Sequence, residues 1–178
     1  MRSRARFRGT FWRSIGADFA RLIGRLKLAV MTGIEAQKTV RVGLGIVVRD
    51  GLILICKRHK KDSFGGFWEF PGGKCEEGET PEACVRRELL EEVALHVTPT
   101  TALDPISHTY STVRVTLFPF LCRYDSGEAV ALSASELQWV EPARLTDFRF
   151  PPANAGLLEM LASATIVGGA IDLPAKEA

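Results

Sequence analysis

The segment from Gly73 to Leu95 constrains this chain more than any other part of the sequence. It contains GKCEEGETPEACVRRELLEEVAL and begins at the last residue of a Pro71-Gly72-Gly73 turn. Glu91 and Glu92 follow Glu88 by three and four residues, so the three side chains share one face of a helix. Carboxylates crowded on one face repel each other unless a cation lies between them. Hard divalent cations such as Mg²⁺ bind carboxylate oxygens together with substrate phosphates, so the spacing indicates a metal site for phosphate chemistry.

The offsets within this segment also match a family signature. Five residues separate Gly73 from Glu79, seven more lead to Arg87-Glu88-Leu89, and Glu91-Glu92 follow after one residue. This pattern resembles the Nudix box of nucleoside-diphosphate-linked hydrolases. One position departs from it, because the family has glycine where this chain has Ala94. The alternative interpretation is a solvated acidic helix face, which does not need these fixed offsets.

The resemblance implies both a fold and a ligand set. Strands and helices mix along the chain without regular alternation, which favours the α+β class, and the resemblance implies an α/β/α sandwich around a mixed β-sheet. It implies that Mg²⁺, with Mn²⁺ as the alternative, is held by three carboxylates and one backbone carbonyl. These predicted metal ligands are Glu88, Glu91, Glu92 and Gly72.

Two further residues of the box are expected to orient those ligands. Arg87 cannot bind a cation, but its planar fork can hold neighbouring carboxylates, and Glu79 is expected to act with it. Glu88 is the expected general base. The alternative is a glutamate of a later loop, Glu136, for which the competing interpretation is a surface acid.

The resemblance extends to the branch of the family that hydrolyses oxidised nucleotides, the MutT type. Trp68 to Lys74, Gly78 to Glu82 and Phe150 to Asn154 are similar to that branch. There an asparagine contacts the base edge of 8-oxoguanine, a role that an amide with both donor and acceptor can fill. The predicted substrate-binding residues are Arg58, Phe70, Pro71, Gly72, Gly73 and Asn154.

Two of the predicted substrate-binding residues lie away from the glycine turn in the sequence, and each has an alternative interpretation. For Asn154 it is a cap at the start of a helix after two prolines, and for Arg58 it is a solvated loop rich in lysine. An arginine that the branch uses near Val113 is not matched, because Arg114 is one position away.

The resulting expectation is an Mg²⁺-dependent diphosphatase that converts 8-oxo-dGTP, or another modified nucleotide, to the monophosphate and pyrophosphate. The alternatives within the enzyme class are a pyrimidine nucleotide pyrophosphohydrolase and an ADP-sugar or dinucleotide hydrolase. The alternative from another class is a non-catalytic module that recognises oxidised guanine. The expected partner is a small nucleotide, and no stable complex with nucleic acid is expected.

Charge is distributed unevenly along the chain. The net charge is +2, yet residues 1–30 hold seven Arg, one Lys and only Asp18 as an acid, which gives +7 for this segment and −5 for the remainder. Aromatic and aliphatic residues recur there at helical spacing. The favoured interpretation is an upstream extension of the reading frame before Met31, or a weakly ordered appendage. The alternatives are an amphipathic helix in weak contact with an anionic membrane surface and an organelle transit segment.

These patterns predict three regions: a basic extension over 1–36, a hydrolase domain over 37–164 and a tail over 165–178 that frays. Strands are predicted over Thr39–Val48, Leu52–Cys56, Phe67–Phe70, Leu103–Tyr110, Val113–Tyr124 and Leu137–Glu141, and helices over Pro81–Val93 and Ala153–Ser163. Four scattered cysteines without ligand-like pairing indicate reduced thiols and a cytoplasmic location.

Overall fold

The computed structural model describes residues 38–111, 113–167 and 170–173. The predicted basic extension, with its proposed membrane contact, lies outside these residues. None of the helices in the described ranges has the length and hydropathy that a membrane crossing requires.

Ten strands and two α-helices lie in the described part of the chain. The strands are β1 (Lys38–Arg49), β2 (Leu52–Lys57), β3 (Trp68–Glu69), β4 (Gly72–Lys74), β5 (Leu95–Ala102), β6 (Ile106–Tyr110), β7 (Val113–Gly127), β8 (Glu136–Val140), β9 (Thr165–Val167) and β10 (Ala170–Asp172). The helices are α1 (Pro81–Val93) and α2 (Ala155–Ala162), and two 3₁₀ helices span Pro142–Asp147 and Pro152–Asn154.

A mixed sheet forms the centre of the molecule. Its main path runs β3-β2-β1-β7-β5, with β4 paired to β1, β6 to β7 and β8 to β2. β1 and β7 are parallel over eleven residue pairs from Lys38↔Val113 to Val48↔Arg123, and the other pairings in this sheet are antiparallel. The predicted α+β class and mixed sheet are therefore confirmed.

Each face of the sheet is covered by one helix. Val85, Leu89 and Val93 of α1 pack with Val47, Leu54 and Val97 on one face. Leu157 and Leu161 of α2 pack with Val42, Ile55 and Leu117 on the other. Alternate residues of β1 and β2 enter opposite clusters because side chains along a strand point to alternate faces. The predicted α/β/α sandwich follows from this arrangement.

Strand β5 was missed by the sequence patterns, which place a strand only from Leu103 onward. Its sequence LHVTPTTA is polar and contains Pro99, which argues against a central strand. The structure places β5 at the edge of the sheet, and its register shifts between Pro99 and Thr101. An edge position with a bulge is where proline is tolerated.

The prediction that the tail frays from Thr165 is wrong for the described residues 165–167 and 170–173. Strands β9 and β10 pair antiparallel, with Ile171 opposite Ile166. Ile171 and Leu173 pack against the core cluster on the α2 face. Glycine and alanine content alone therefore does not show that a tail is unfolded, because apolar side chains spaced between the small residues can still anchor it.

The end of α1 has the conformation expected from the sequence. Ala94 lies in the left-handed region with φ 59° and ψ 27°, and its N–H bonds back to the helix carbonyls of Leu89 and Leu90. This conformation costs conformational free energy for a residue with a Cβ, whereas it costs glycine almost none.

Ala94→Gly should therefore stabilise the protein by about 1 kcal/mol without changing activity. The matched control is Ala83→Gly at an exposed position within α1, which should destabilise by about 0.5–1 kcal/mol. Urea denaturation of both variants measures the two shifts. Equal destabilisation by both substitutions would contradict the assignment of strain to Ala94.

Candidate active site

Helix α1 presents the box residues because its start and end are both fixed. The Thr80 hydroxyl accepts a hydrogen bond from the Ala83 N–H at 3.2 Å, and Pro81 occupies the first helical turn. This is the N-terminal capping predicted for these residues. Val85 and Leu89 are fully buried against the sheet, so the glutamates lie on the other side of the helix, at the edge facing β4.

Strand β4 brings the glycine turn into contact with the glutamates. A Cβ at Gly73 would lie 2.4 Å from the Glu88 carboxyl carbon, and one at Gly72 would lie 2.1 Å from the Gly43 carbonyl oxygen. Gly72 also has a φ of 151°. Glycine is thus needed at Gly72, where a Cβ would meet the backbone of β1, whereas a Cβ at Gly73 would displace the Glu88 carboxylate from its position against the turn.

Two glycines of β1 complete this close approach, and the sequence patterns did not single them out. A Cβ at Gly45 would lie 2.8 Å from Leu89 Cδ1, and one at Gly43 would lie 3.0 Å from the Pro81 carbonyl oxygen. They allow α1 to pack directly on the strand backbone. The signal was present as Gly-Leu-Gly inside a β-branched run, since glycine within a strand often marks close packing.

Arg87 connects most of the acidic residues of the box. It donates to both carboxylate oxygens of Glu79 at 2.8 Å, to Glu88 at 2.7 Å and to Glu91 at 3.3 Å. It also donates to the Lys74 carbonyl at 3.1 Å. The hydrogen bond from Arg87 lowers the pKa of Glu79. The structure therefore brings together the two residues predicted to orient the ligands.

Glu92 is in a different electrostatic position from its neighbours. It accepts a hydrogen bond from the Gly72 N–H at 3.2 Å, and the described residues provide no ion pair to it. Burial raises the pKa of Glu92 well above its usual range, and the charges of Glu69 and Glu88 raise it further. Burial also raises the pKa of Glu88, against the opposing effect of Arg87. Buried carboxylates with too little positive charge are the environment that a cation would relieve.

The predicted metal ligands lie on one helix and the adjacent turn, but their side chains do not form a preformed cation site. Within the described ranges, no three His, Cys, Asp or Glu side chains converge on one point as ready-made metal ligands. Glu88 and Glu91 turn to Arg87 instead. The donor chemistry thus fits a hard divalent cation, and Arg87 supplies the positive charge beside Glu88 and Glu91.

Arg58 is buried rather than solvated. It is 3% exposed, its Nε donates to the Ser63 carbonyl at 2.7 Å, and its Nη1 pairs with Glu69. Burial raises the pKa of Glu69 to about 7, while Arg58 opposes the rise. The alternative of a solvated basic loop is wrong for Arg58, and a direct nucleotide contact stays a prediction.

Asn154 is buried beside the second helix. It is 6% exposed, and its Nδ2 makes a long hydrogen bond of 3.4 Å to the Pro151 carbonyl. It stands immediately before α2 but makes no side-chain capping bond, so the alternative of a helix cap does not account for it. Phe70 and Phe150 pack as a ring pair with centroids 5.2 Å apart, which links the glycine turn to the segment that carries Asn154.

Glu136 lies at the start of β8, and its carboxylate is already paired. It pairs with Lys57 at 2.9 Å and accepts a hydrogen bond from Gln138 at 2.9 Å. Lys57 lowers the pKa of Glu136. These contacts favour the surface-acid interpretation over a role as general base.

Comparison with known protein families gives one match over most of the chain. Residues 43–160 match the family model described as the NUDIX domain. The matched range contains every residue predicted to bind metal or substrate.

Relatives named for two of the predicted substrate classes, oxidised purine nucleotides and pyrimidine nucleotides, are similar to this chain. An 8-oxo-dGTP diphosphatase of Proteus vulgaris is 41% identical over 48% of this chain and 77% of its own length. One of Haemophilus influenzae is 34% identical over 72% of this chain and 96% of its own length. A CTP pyrophosphohydrolase of Escherichia coli is 30% identical over 69% of this chain and 91% of its own length.

Solved structures show the same fold. A MutT protein of Methanosarcina mazei aligns with a TM-score of 0.65 at 18% identity, covering 72% of this chain and 96% of that one. A MutT NUDIX hydrolase of Burkholderia pseudomallei aligns with a TM-score of 0.58 at 26% identity, covering 68% and 97%.

Proposed function

The chain belongs to the Nudix hydrolase family, and from this premise we propose that it is an Mg²⁺-dependent diphosphatase of 8-oxo-dGTP or a similarly modified nucleotide. The products would be the nucleoside monophosphate and pyrophosphate. The observation that carries the proposal is the set of glutamates on α1 packed against the Gly72-Gly73 backbone, in a chain whose relatives include 8-oxo-dGTP diphosphatases.

Three carboxylates and one carbonyl would hold the cation: Glu88, Glu91, Glu92 and the Gly72 oxygen. Bound Mg²⁺, for which Mn²⁺ is the alternative, would neutralise phosphoryl oxygens and lower the pKa of a water molecule. Arg87 holds Glu88 and Glu91 at present, and Glu79 holds Arg87 through two hydrogen bonds. Release of Glu88 and Glu91 towards a cation would therefore leave Arg87 anchored by Glu79.

Glu88 is the proposed acceptor of the proton from an attacking water, since its carboxylate lies directly against the glycine turn. Glu136 is less suited, because Lys57 and Gln138 already occupy its oxygens.

Recognition of the base is assigned to Asn154. Its side chain is buried, as are those of Phe150 and Ala153 in the same segment, and among the described residues its Nδ2 is engaged by the long bond to the Pro151 carbonyl alone. Its Oδ1 accepts no hydrogen bond from the described residues. A buried amide with remaining hydrogen-bonding capacity can discriminate between base edges that differ in one donor or acceptor.

A pyrimidine triphosphate is the second candidate substrate. The match to a CTP pyrophosphohydrolase supports it, as does the offset of Arg114 from the arginine position of the MutT branch. Hydrolysis of ADP-sugars and non-catalytic recognition of oxidised guanine remain as alternatives that the same assay addresses.

The test is a comparison of kcat/KM for 8-oxo-dGTP, dGTP, CTP and ADP-ribose in Mg²⁺. We expect 8-oxo-dGTP to be the best of the four. A preference for CTP or ADP-ribose would replace the proposed substrate, and binding of 8-oxo-dGMP without turnover of any substrate would favour the recognition module.

Asn154→Ala should reduce the preference for 8-oxo-dGTP over dGTP by about tenfold or more, because it removes the buried amide proposed to contact the base edge. The maximal rate should change less than the preference. Gln138→Ala is the control, since its amide bonds Glu136 and no other side chain within the described ranges. An unchanged preference in Asn154→Ala would contradict the assignment of base recognition to this residue.

A further inference from the structure

Two cysteines lie where helix α1 packs against strand β4, and both are free thiols in the structure. Cys84 is fully buried on the face of α1 that covers the sheet. Cys75 directly follows β4, and its N–H donates to the Arg41 carbonyl at 2.9 Å, so its backbone continues the pairing of β4 with β1. The proposed hydrolysis uses neither thiol, which leaves the pair available for a separate chemistry.

The register between β4 and α1 places the two side chains opposite each other. Gly73 of β4 faces Glu88 of α1, because a Cβ at Gly73 would lie 2.4 Å from the Glu88 carboxyl carbon. Two residues further along the extended chain, Cys75 points to the same side as Gly73. Cys84 lies one helical turn before Glu88, on the same face of the helix. The Cys84 thiol also donates to the Gly73 carbonyl at 3.3 Å, and this carbonyl lies on the side of Gly73 that leads to Cys75.

Both thiols contact the same residue of β1, Gly43. A Cβ at Gly43 would lie 3.1 Å from Cys84 Sγ, and the Gly43 backbone forms a hydrogen bond with each of the two thiols. The hydrogen bond between the thiols lowers the pKa of Cys75 and raises the pKa of Cys84. Gly43 is paired with Gly73, so two residues without a Cβ let the helix and the strands approach closely. A disulfide requires such an approach, with Cα atoms about 4.4–6.8 Å apart.

The two thiols differ in their access to solvent. Cys75 is 6% exposed and lies between the exposed residues Lys74 and Glu76, whereas Cys84 is fully buried. A small oxidant such as hydrogen peroxide therefore meets Cys75 first, at the edge of the packed interface. Cys84 needs no contact with the oxidant, because its thiol has only to react with the neighbouring sulfur of Cys75.

We propose that Cys75 and Cys84 are a modification site, at which an oxidant of the peroxide class forms a disulfide between β4 and α1 that a thiol reductant reverses. Peroxide first transfers an oxygen atom to the Cys75 sulfur, which gives a sulfenic acid and one water molecule. The Cys84 sulfur then attacks the Cys75 sulfur, and the hydroxyl group leaves with the Cys84 hydrogen as a second water molecule. The two thiols are oxidised and the peroxide is reduced, so no other reactant is needed.

The disulfide joins the two elements that carry the predicted metal ligands, since Gly72 lies in β4 and Glu88 in α1. A crosslink of this kind stabilises a folded protein chiefly by restricting the unfolded chain. We expect the oxidised protein to have a Tm about 5 °C above that of the reduced protein. Formation of the disulfide does not depend on which nucleotide the protein hydrolyses, so it can be tested whatever the outcome of the substrate assay.

Peptide mapping of the full-length protein tests the modification directly. The protein is treated with hydrogen peroxide, unfolded in N-ethylmaleimide and cleaved after Lys and Arg. Cys75 and Cys84 then lie together in the peptide 75–86, whereas Cys56 and Cys122 each lie in another peptide and serve as internal controls. We expect the peptide 75–86 to lack two hydrogens and to carry no label, and each control peptide to carry one label.

Reduction with dithiothreitol before labelling should restore two labels on the peptide 75–86. Two labels on this peptide after peroxide, a Cys75 oxidised to a sulfonic acid beside a labelled Cys84, or equal oxidation of the control cysteines would overturn the inference.

Thermal denaturation supplies the second measurement, with Cys75→Ser as the variant that cannot form the disulfide. Peroxide should raise the Tm of the wild type by about 5 °C and leave that of Cys75→Ser unchanged. A wild type with the same Tm in its oxidised and reduced states would overturn the proposed crosslink, as would a variant that gains as much as the wild type.

Discussion

Glu92→Gln should lower kcat by about a hundredfold or more, since even residues that only orient metal ligands are worth roughly 10- to 100-fold. Glutamine has the same shape but cannot supply the negative charge that holds a divalent cation. The Gly72 N–H that bonds Glu92 can still bond the amide oxygen, so the fold should persist. Steady-state hydrolysis of 8-oxo-dGTP at saturating Mg²⁺ measures the effect.

The same substitution should stabilise the protein when metal is absent. The raised pKa of Glu92 means that the folded state binds its proton more tightly than the unfolded chain, whose glutamates titrate near 4.3. Stability of the wild type therefore falls as pH rises above that value, and Glu92→Gln lacks this fall. In EDTA, the variant should have the higher Tm at pH 8 and a smaller advantage at pH 5.

Glu77→Gln is the control for both effects, because Glu77 is an exposed glutamate of the same segment. It should change neither kcat nor the pH dependence of Tm. Full activity in Glu92→Gln would remove the basis for assigning the metal site to α1.

Gly73→Ala should also lower activity by about a hundredfold while leaving the protein folded. The new Cβ would lie 2.4 Å from the Glu88 carboxyl carbon, so the carboxylate must move away from its position against the turn. Gly73 is not among the residues with positive φ, so alanine fits its backbone. The end of a glutamate side chain moves at little cost, and the loss therefore falls on catalysis, for which a displacement of about 1 Å can be worth a hundredfold.

Gly156→Ala is the matched control in α2. A Cβ there would meet no atom within 4 Å, and alanine should stabilise the helix by about 0.5–1 kcal/mol. We expect its kcat/KM to equal that of the wild type. Measuring both kcat/KM and thermal denaturation for the two variants separates an effect on catalysis from an effect on stability. A fully active Gly73→Ala would contradict the close approach described for Glu88.

The site was more predictable from the sequence than the sheet around it. Helix α1, its cap at Thr80 and the left-handed Ala94 follow from local rules of capping and spacing, which depend on a few adjacent residues. The contacts of Arg87 with Glu79 and Glu88 follow from fixed offsets. Strand β5 could not be found in this way, because its place at an edge depends on β7, which is distant in sequence.

Three features of the site needed tertiary structure. Gly43 and Gly45 matter only because α1 packs on their backbone, and the helix lies far along the chain. The burial of Arg58 depends on its pairing with Glu69 across two strands. The burial of the Tyr110 hydroxyl depends on tertiary packing, since no pattern within β6 distinguishes a solvated tyrosine from a buried one.

The most direct test of the proposed function is product analysis after incubation of 8-oxo-dGTP with the wild type, in Mg²⁺ and in EDTA, beside Glu92→Gln in Mg²⁺. We expect equal amounts of 8-oxo-dGMP and pyrophosphate from the wild type in Mg²⁺, neither product in EDTA, and about a hundredfold less of both from Glu92→Gln in the same time. Release of orthophosphate, turnover that persists in EDTA, or no turnover of 8-oxo-dGTP would contradict the proposed function.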